Sequence, residues 1–337
     1  MSADHSSILL FSDTHIGFDH SPTNKPSKNR RRGPDFFNNF KLIIDQALAL
    51  QVDYVIHCGD VFEKQKVPAF LIDQTYEQFL RLANASIKLF IVPGNHERSV
   101  LPASLFLNHP NIYLFDTLRS FVFPGISFSG FPYFKGDIRS LFPTFKRQLE
   151  KQIRTNDFNM LCVHHAIDGA KAGYNFFEFK NRKDTLNIND LPGSFDLVLS
   201  GHIHKHQIMY AENGSKQSIP ILYSGSTERT MFDEMNEVKG YHTFKIHGKS
   251  FEHQFHPINT RPMYRIDLKS KSFSSEKLVN FLAKQIAAFE SDAIVQISSD
   301  DEAILYQLST LKTNSFFTDT MNITISGFSA LHKNKKH

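Results

Sequence analysis

Five short apolar runs in this chain each stop at a polar loop built from Asp, Asn, His and Gly. "SSILLFSD" (6–13) leads into Asp13-Thr14-His15, and "DYVIHCGD" (53–60) ends on Gly59-Asp60. "KLFIVPGNHE" (88–97) carries Gly94-Asn95-His96, "NMLCVHHA" (159–166) carries His164-His165, and "FDLVLSGH" (195–202) runs into Gly201-His202-Ile203-His204. Apolar runs of this length bounded by turn residues read as buried strands. Between them lie stretches at helical spacing. Residues 34–50 have apolar positions at 36/37, 40, 43/44 and 47/48, with Pro34 and Asp35 suited to a first turn. Residues 68–85 read as helix, as do 138–155, with a start or kink at Pro143. Strands alternating with helices make an α/β layered domain. In such sheets sites form at the carboxyl ends of strands, so five polar loops can converge on one crevice.

The donor types in those loops point to metal chemistry. Neutral imidazoles with carboxylate and amide oxygens suit divalent Mn, Fe, Zn or Co. Two such ions roughly 3.5–4 Å apart clamp both the attacking and the leaving oxygen in phosphoryl transfer. Gly59, Gly94 and Gly201 sit where the chain must turn sharply or where backbone must approach an ion or phosphate closely. Each motif alone is weak, since a lone D-x-H is an ordinary turn. The signal is five of them in order, each after an apolar strand. On this reading the alternating histidines of "SGHIHKHQ" (200–207) are explained by His202 and His204 as ligands.

Bulk properties exclude several classes. The 337 residues allow one large domain and a small one. Hydrophobic residues at 41% and charged residues at 21% are ordinary for a soluble globular protein. A net charge of +4 is too mild to demand a polyanionic partner, so the placement of charge matters more. The N-terminus has no basic segment and too short an apolar run for a signal peptide, and no stretch is long enough to span a bilayer. Cys58 and Cys162 both fall inside buried strands and read as packed thiols, which fits a reducing, cytoplasmic compartment, nucleoid-associated if bacterial.

The later chain changes character. "GYHTFKI" and "SFEHQFHPI" have antiparallel character. After "NTRPMYRIDL" (259–268), a helical run at 274–291 is flanked by strands "YRIDL", "AIVQIS" and "NITISGF", a separate small α+β unit over 259–330. Residues 331–337 form a basic tail expected to be disordered.

"SDTHIG", "GDVFE", "GNHE", "VHHA" and "SGHIH" resemble the five motifs of calcineurin-like metallophosphoesterases, and the resemblance covers about residues 7–260. Within that superfamily, "YSGSTERTMFDEMNEVKGYHTFKI" (223–246) followed by "TRPMYRIDL" (260–268) resembles the Mre11/SbcD branch of DNA repair nucleases. The resemblance implies a four-layer α/β/β/α sandwich over 1–258 with a small C-terminal α+β capping domain over 259–330. It implies two divalent ions, Mn first, with Fe, Zn, Co or Mg as alternatives. Asp13, His15, Asp60 and His204 would bind one ion. Asp60, Asn95, His164 and His202 would bind the other, with Asp60 bridging. His96 would be the catalytic imidazole beside the scissile phosphate, and a metal-bound hydroxide would attack phosphorus. Two positions depart from the pattern: Glu97 stands where relatives often have Asp, and Glu63 where some carry a His that assists at the phosphate. The partners implied are DNA, as ends or single strands, a Rad50/SbcC-type ATPase and a second copy of the chain. Relatives continue past the cap into helices that dock the ATPase, and a chain ending at His337 leaves little room for them.

Other residues carry a bland reading beside the sharp one. His165 is expected as an outer partner or substrate-facing group, His206 as a surface histidine, and His57 as a packed histidine or outer partner. "KPSKNRRR" (25–32), with Arg30, Arg31 and Arg32, reads as a phosphate-backbone contact or as a solvated loop. Residues 168–184 mix Lys180 and Arg182 with Tyr174, Phe176, Phe177 and Phe179, which suits a strand-gripping surface or simple packing. The function expected is a two-metal DNA exonuclease or endonuclease. A small-substrate phosphodiesterase or phosphatase on the same core, and a scaffold without catalysis, are the alternatives.

Overall fold

The computed structural model describes residues 5–19, 32–173, 177–211, 218–268, 274–310, 318 and 320–327. The chain divides into two compact units, Met1–Phe18 with Gly33–Asn259, and Asp19–Arg32 with Thr260–His337.

The larger unit is built on two six-stranded sheets. In spatial order the first runs Ser250–Pro257, Gly240–His247, Ser6–Phe11, Tyr54–His57, Lys88–Ile91 and Ile112–Leu114. Its last four strands are mutually parallel, and the first two join antiparallel. The second runs Gln207–Ala211, Ile219–Tyr223, Leu197–Ser200, Phe158–Val163, Ile126–Gly130 and Arg119–Phe123. Its inner four strands are parallel, with an antiparallel strand at each edge. "GYHTFKI" and "SFEHQFHPI" pair as an antiparallel hairpin, as their pattern indicates.

Side chains alternate faces along a strand, and here both faces are covered. On one face of the first sheet, Leu9, Phe11, Val55, Leu89 and Ile91 pack with Phe36, Phe40, Ile43, Phe79 and Leu82 of the helices Gly33–Leu50 and Ala69–Asn84. On the other, Ile8, Leu10, Ile56 and Phe90 meet Phe128, Met160, Cys162, Leu197 and Leu199 of the second sheet. The outer face of the second sheet, with Leu161, Val163, Val198 and Ile221, packs on Ile138, Phe142 and Leu149 of the helix Ile138–Glu150. The layers therefore run α/β/β/α. Burial on both faces is why the strands read as continuous apolar runs. Cys58 and Cys162 are free, buried thiols of the inter-sheet layer.

The third helix is shorter than its spacing predicts. Asp137 caps it, accepting the Ser140 amide at 3.0 Å, and Pro143 lies inside it. It stops at Glu150 because the buried stripe ends at Leu149 and three polar residues follow. Ile153 still packs on the same core from the segment that follows.

The smaller unit holds a three-stranded parallel sheet, Met263–Asp267, Ile294–Ser298 and Asn322–Ser326 in that order. Parallel neighbours need crossovers, supplied by the helices Ser275–Ile286 and Glu302–Thr310. The first helix ends before the expected 291. The second was not apparent from the sequence. Leu278, Leu282, Ile286, Ile304, Leu305 and Leu308 pack on Val295 and Ile297 to form its core. Arg261, inside the "TRPMYRIDL" motif, donates to the carbonyls of Asp292 and Thr320 and to Asn322 Oδ1, stitching the strand ends together. Among the described residues no helix is long and apolar enough to cross a membrane. The 331–337 tail lies outside the described residues.

Phe90 sits at the centre of the inter-sheet layer, fully buried, with ring centroids 4.2 Å from Phe128 and 4.9 Å from Tyr113. Phe90→Ala should lower the unfolding free energy by about 3–5 kcal/mol. Urea denaturation is the measurement, and a loss under about 1 kcal/mol would mean the layer collapses around the cavity.

Candidate metal centre

Five polar loops follow five parallel strands, three from the first sheet and two from the second. The first two loops stay zipped together beyond their strands: Asp13 N donates to Gly59 O at 2.9 Å, and His15 N to Asp60 O at 3.1 Å. Asp13, His15, Asp60 and His202 all have positive φ, 51°, 45°, 53° and 76°. Non-glycine residues rarely adopt this region, and its strain concentrates at functional sites. Gly94 and Gly201 serve close approach: a Cβ would lie 2.2 Å from Asp60 Oδ1 at Gly94, and 2.1 Å from Cys58 O at Gly201.

The loops bring eight predicted residues together. Asp13, His15 and His204 have ligand atoms within 4.8 Å of one another, and so do Asp60, His164 and His202. A third such group is His15, Asp60 and His96, so His15 and Asp60 join the two ends of the cluster. Asn95 Oδ1 lies 3.0 Å from His164 Nε2 and 2.9 Å from His202 Nδ1. His96 is partly exposed, as are Asn95, His202 and His204. A third of its side chain is open to solvent, while His15 is 1% and His164 0% exposed.

Proton positions follow from the outer partners. Cys58 O, 2.6 Å away, accepts from His164 Nδ1. Its Nε2 therefore faces Asp60 Oδ2 at 3.2 Å and Asn95 Oδ1 at 3.0 Å, where it takes either a proton or a cation. Glu63 Oε2 lies 2.9 Å from His15 Nδ1, and Glu234 Oε1 2.9 Å from His204 Nδ1. The Nε2 atoms of His15 and His204 then face each other at 3.0 Å. Acceptors aimed at acceptors in buried space are stable only around a cation or a shared proton. The donor set therefore fits divalent ions.

The local charges agree. Burial alone would raise the Asp60 carboxyl. The imidazoles of His164, His15 and His96 outweigh burial and hold it well below the usual range. Burial would lower His164, but Asp60 lifts it to about 9. His202 is pushed down to about 4 by burial and by His164. Glu97 is fully buried and pushed up to about 8 by burial and Asp60. Its Oε1 accepts the Phe62 amide at 2.7 Å and its Oε2 the Gly94 amide at 3.0 Å, so it clamps the Asp60 loop to the Asn95 loop.

Glu234 and Lys239 were not singled out from the sequence. Glu234 accepts from His204 and Thr230 and pairs with the buried Lys239 at 2.7 Å. Lys239 Nζ also donates to His204 O at 2.9 Å. Both residues stand in the 223–246 stretch, but spacing gave no reason to pair a carboxylate thirty positions on with His204.

The remaining expected residues fall as follows. His57 ends the strand Tyr54–His57 and is buried, near Thr14 Oγ1 at 3.1 Å and accepting the Gly59 amide at 3.2 Å. His165 is buried and neutral, stacked on Tyr133 at 4.8 Å, and accepts the Phe134 amide at 3.1 Å. It therefore does not face a substrate. His206 stacks on Phe255 at 4.1 Å and is half-buried, where a surface histidine was expected. Arg30 and Arg31 lie outside the described residues, and Arg32 is 2% exposed, so its guanidinium is not offered to solvent. Lys180 and Arg182 are exposed but engage Glu178 and Asp184 at 2.9 Å. Tyr174 and Phe176 lie outside the described residues. Phe177 is exposed, and Phe179 packs on the outer core of the second sheet.

Residues 6–206 match the calcineurin-like phosphoesterase family. The DNA double-strand break repair protein Mre11 of Methanosarcina acetivorans is 24% identical over 320 residues, 88% of this chain and 46% of its own. That of Methanococcus maripaludis is 24% identical over 289 residues, 81% of this chain and 69% of its own. That of Thermoplasma acidophilum is 26% identical over 246 residues, 69% of this chain and 58% of its own. The chain thus spans about half the length of the first of these relatives. A solved structure, a dimetal phosphatase from Danio rerio, aligns with a TM-score of 0.46 at 11% identity, over 74% of this chain and 98% of that one. With the family match covering more than half of the chain, on a core that gathers Asp, Asn and His at five strand ends, the chain belongs to the calcineurin-like phosphoesterases, metal-dependent hydrolases of phosphoesters.

Proposed function

We propose that the chain is a two-metal phosphodiesterase that cuts DNA, a nuclease of the Mre11/SbcD kind. The observation that carries the chemistry is the pair of ligand groups, Asp13 with His15 and His204, and Asp60 with His164 and His202, linked through His15 and Asp60. Asp13, His15, Asp60 and His204 would hold one ion, and Asp60, Asn95, His164 and His202 the other. The mixed imidazole and oxygen set suits Mn, with Fe, Zn, Co or Mg as alternatives. When bound, the ions supply positive charge to the phosphate oxygens and acidify a water.

The chain's own residues do the rest. Glu63 and Glu234 orient His15 and His204, and Cys58 O orients His164. Glu63 O also accepts from His96 Nδ1 at 2.7 Å, which turns Nε2 inward, 3.8 Å from Asp60 Oδ2. With a third of its side chain exposed, His96 is placed to meet a substrate and protonate the leaving oxygen. The DNA substrate is supported by the similarity to DNA double-strand break repair proteins and by the basic stretch 25–32, of which Arg30 and Arg31 remain candidate phosphate contacts. Lys180 and Arg182 are further candidates, once freed from their local carboxylates. The smaller unit as a cap, a Rad50/SbcC-type ATPase and a second copy of the chain as partners, and an intracellular site of action belong to the same proposal.

A labelled duplex and a nucleoside phosphodiester, each with and without Mn, test it. The proposal expects Mn-dependent cutting of DNA. Strong action on the small ester with none on any DNA would identify a small-substrate enzyme instead. Asp60→Ala should leave less than one ion per chain by elemental analysis, because one carboxylate serves both ions; two ions retained would refute the shared role. His96→Asn should lose on the order of a hundredfold in turnover with its metal content kept, and a parallel loss of metal would make it a ligand. Glu234→Gln should weaken metal affinity or activity by about 10–100-fold through a misoriented His204. Unchanged metal titration and activity would reduce Glu234 to a loop brace.

A further inference from the structure

Beside the metal centre lies a pocket of about 380 Å³ lined by Asn95, Arg98, Ser99, Tyr133 and Lys135. Asn95 belongs to both, since its Oδ1 sits between His164 and His202. The opposite wall comes from a sixth parallel strand end, the segment after Ile126–Gly130. That segment is tied to the Asn95 loop twice: Tyr133 N donates to Pro93 O at 2.9 Å, and Tyr133 O accepts from Ser99 Oγ.

Three features mark the pocket as built for a ligand. Arg98 and Ser99 both hold left-handed backbone, φ 54° and 67°, in a turn closed by Arg98 N to Asn95 O at 3.1 Å and Ser99 N to Gly94 O at 2.8 Å. Arg98 and Lys135 are exposed, and neither has an ion-pair partner among the described residues, whereas Lys180 and Arg182 do. The Tyr133 ring is fixed by the neutral, buried His165 stacked against it, which gives that second histidine of "VHHA" a task as a positioning residue.

We infer that this pocket is a subsite for the phosphate next to the scissile one in a polynucleotide. Arg98 and Lys135 would hold that second phosphate, and the Tyr133 ring would support the intervening nucleoside. A lone phosphoester has its charge met at the metal centre, so two further unpaired cations one step away match a substrate with a second phosphate. Arginine suits bidentate phosphate contact, and aromatic rings support nucleosides without sequence preference. The inference rests on the phosphodiesterase reading, and names what would make the same centre prefer a nucleic acid chain to a small ester.

Calorimetric titration of the Mn-loaded protein with thymidine 3′,5′-bisphosphate and thymidine 5′-monophosphate tests it without requiring turnover. The bisphosphate should bind the unaltered protein tighter by about tenfold or more, the scale of one charge-assisted phosphate contact. In the Arg98→Ala/Lys135→Ala protein that ratio should fall towards one, and in Arg98→Lys it should survive in part. Taking the ratio within each protein cancels any change in folding or metal loading. A ratio near one in the unaltered protein, or an unchanged ratio in the double variant, overturns the subsite. If the ratio behaves as expected but labelled single strands are not cut, the subsite stands and the nuclease reading fails.

Discussion

The structure turns on a buried carboxylate surrounded by imidazoles. Asp60 is 1% exposed, and an isolated carboxylate there would be costly to desolvate. Its neighbours hold it ionised: His164 Nε2 lies 3.2 Å from Oδ2, and the His96 amide donates to Oδ1 at 2.9 Å. Around it the inner ring nitrogens of His15, His164 and His204 and the Asn95 oxygen are aimed inward, while the outer nitrogens lie against Glu63, Cys58 O and Glu234. Such a set has little reason to form in a core unless a cation completes it. The rest of the larger unit is the means of holding it.

That means is the pairing of two sheets. Parallel strands place all their carboxyl ends on one edge, and two sheets packed face to face place two such edges side by side. The inter-sheet layer of Ile8, Leu10, Ile56, Phe90, Phe128, Met160 and Leu199 fixes that proximity. The left-handed backbone at Asp13, His15 and Asp60 is held by the ladder between the first two loops and by the Glu97 clamp, and that at His202 by its amide donating to Asp13 Oδ1 at 3.1 Å. Glu97 stands one residue past His96, where its carboxylate reaches two amides on different loops. It acts on the site by geometry, without facing it.

Much of this was legible in the sequence, for a physical reason. Buried parallel strands are apolar throughout, so polar residues at their ends stand out, and the five loops announced both the sheet edge and the donor set. The outer partners were not legible. Glu63 reads as a departure from a family pattern, yet its carboxylate lies against His15 Nδ1 and its carbonyl accepts from His96. Glu234 and Lys239 reach His204 through tertiary folding alone. His206 continued the histidine alternation but turned to stack on Phe255, since period-two spacing fixes a face only while the strand lasts. The helix Glu302–Thr310 was missed because so short a stretch gives too few turns for periodicity to declare itself.

The central claim is that Asp60 is shared by two ions. Crystals grown with Mn, with anomalous difference maps recorded at the Mn absorption edge, test it most directly. The account predicts two peaks roughly 3.5–4 Å apart, one beside Asp13, His15 and His204, the other beside Asn95, His164 and His202, with the Asp60 carboxylate between them. A single peak, or two peaks of which only one touches Asp60, would contradict it.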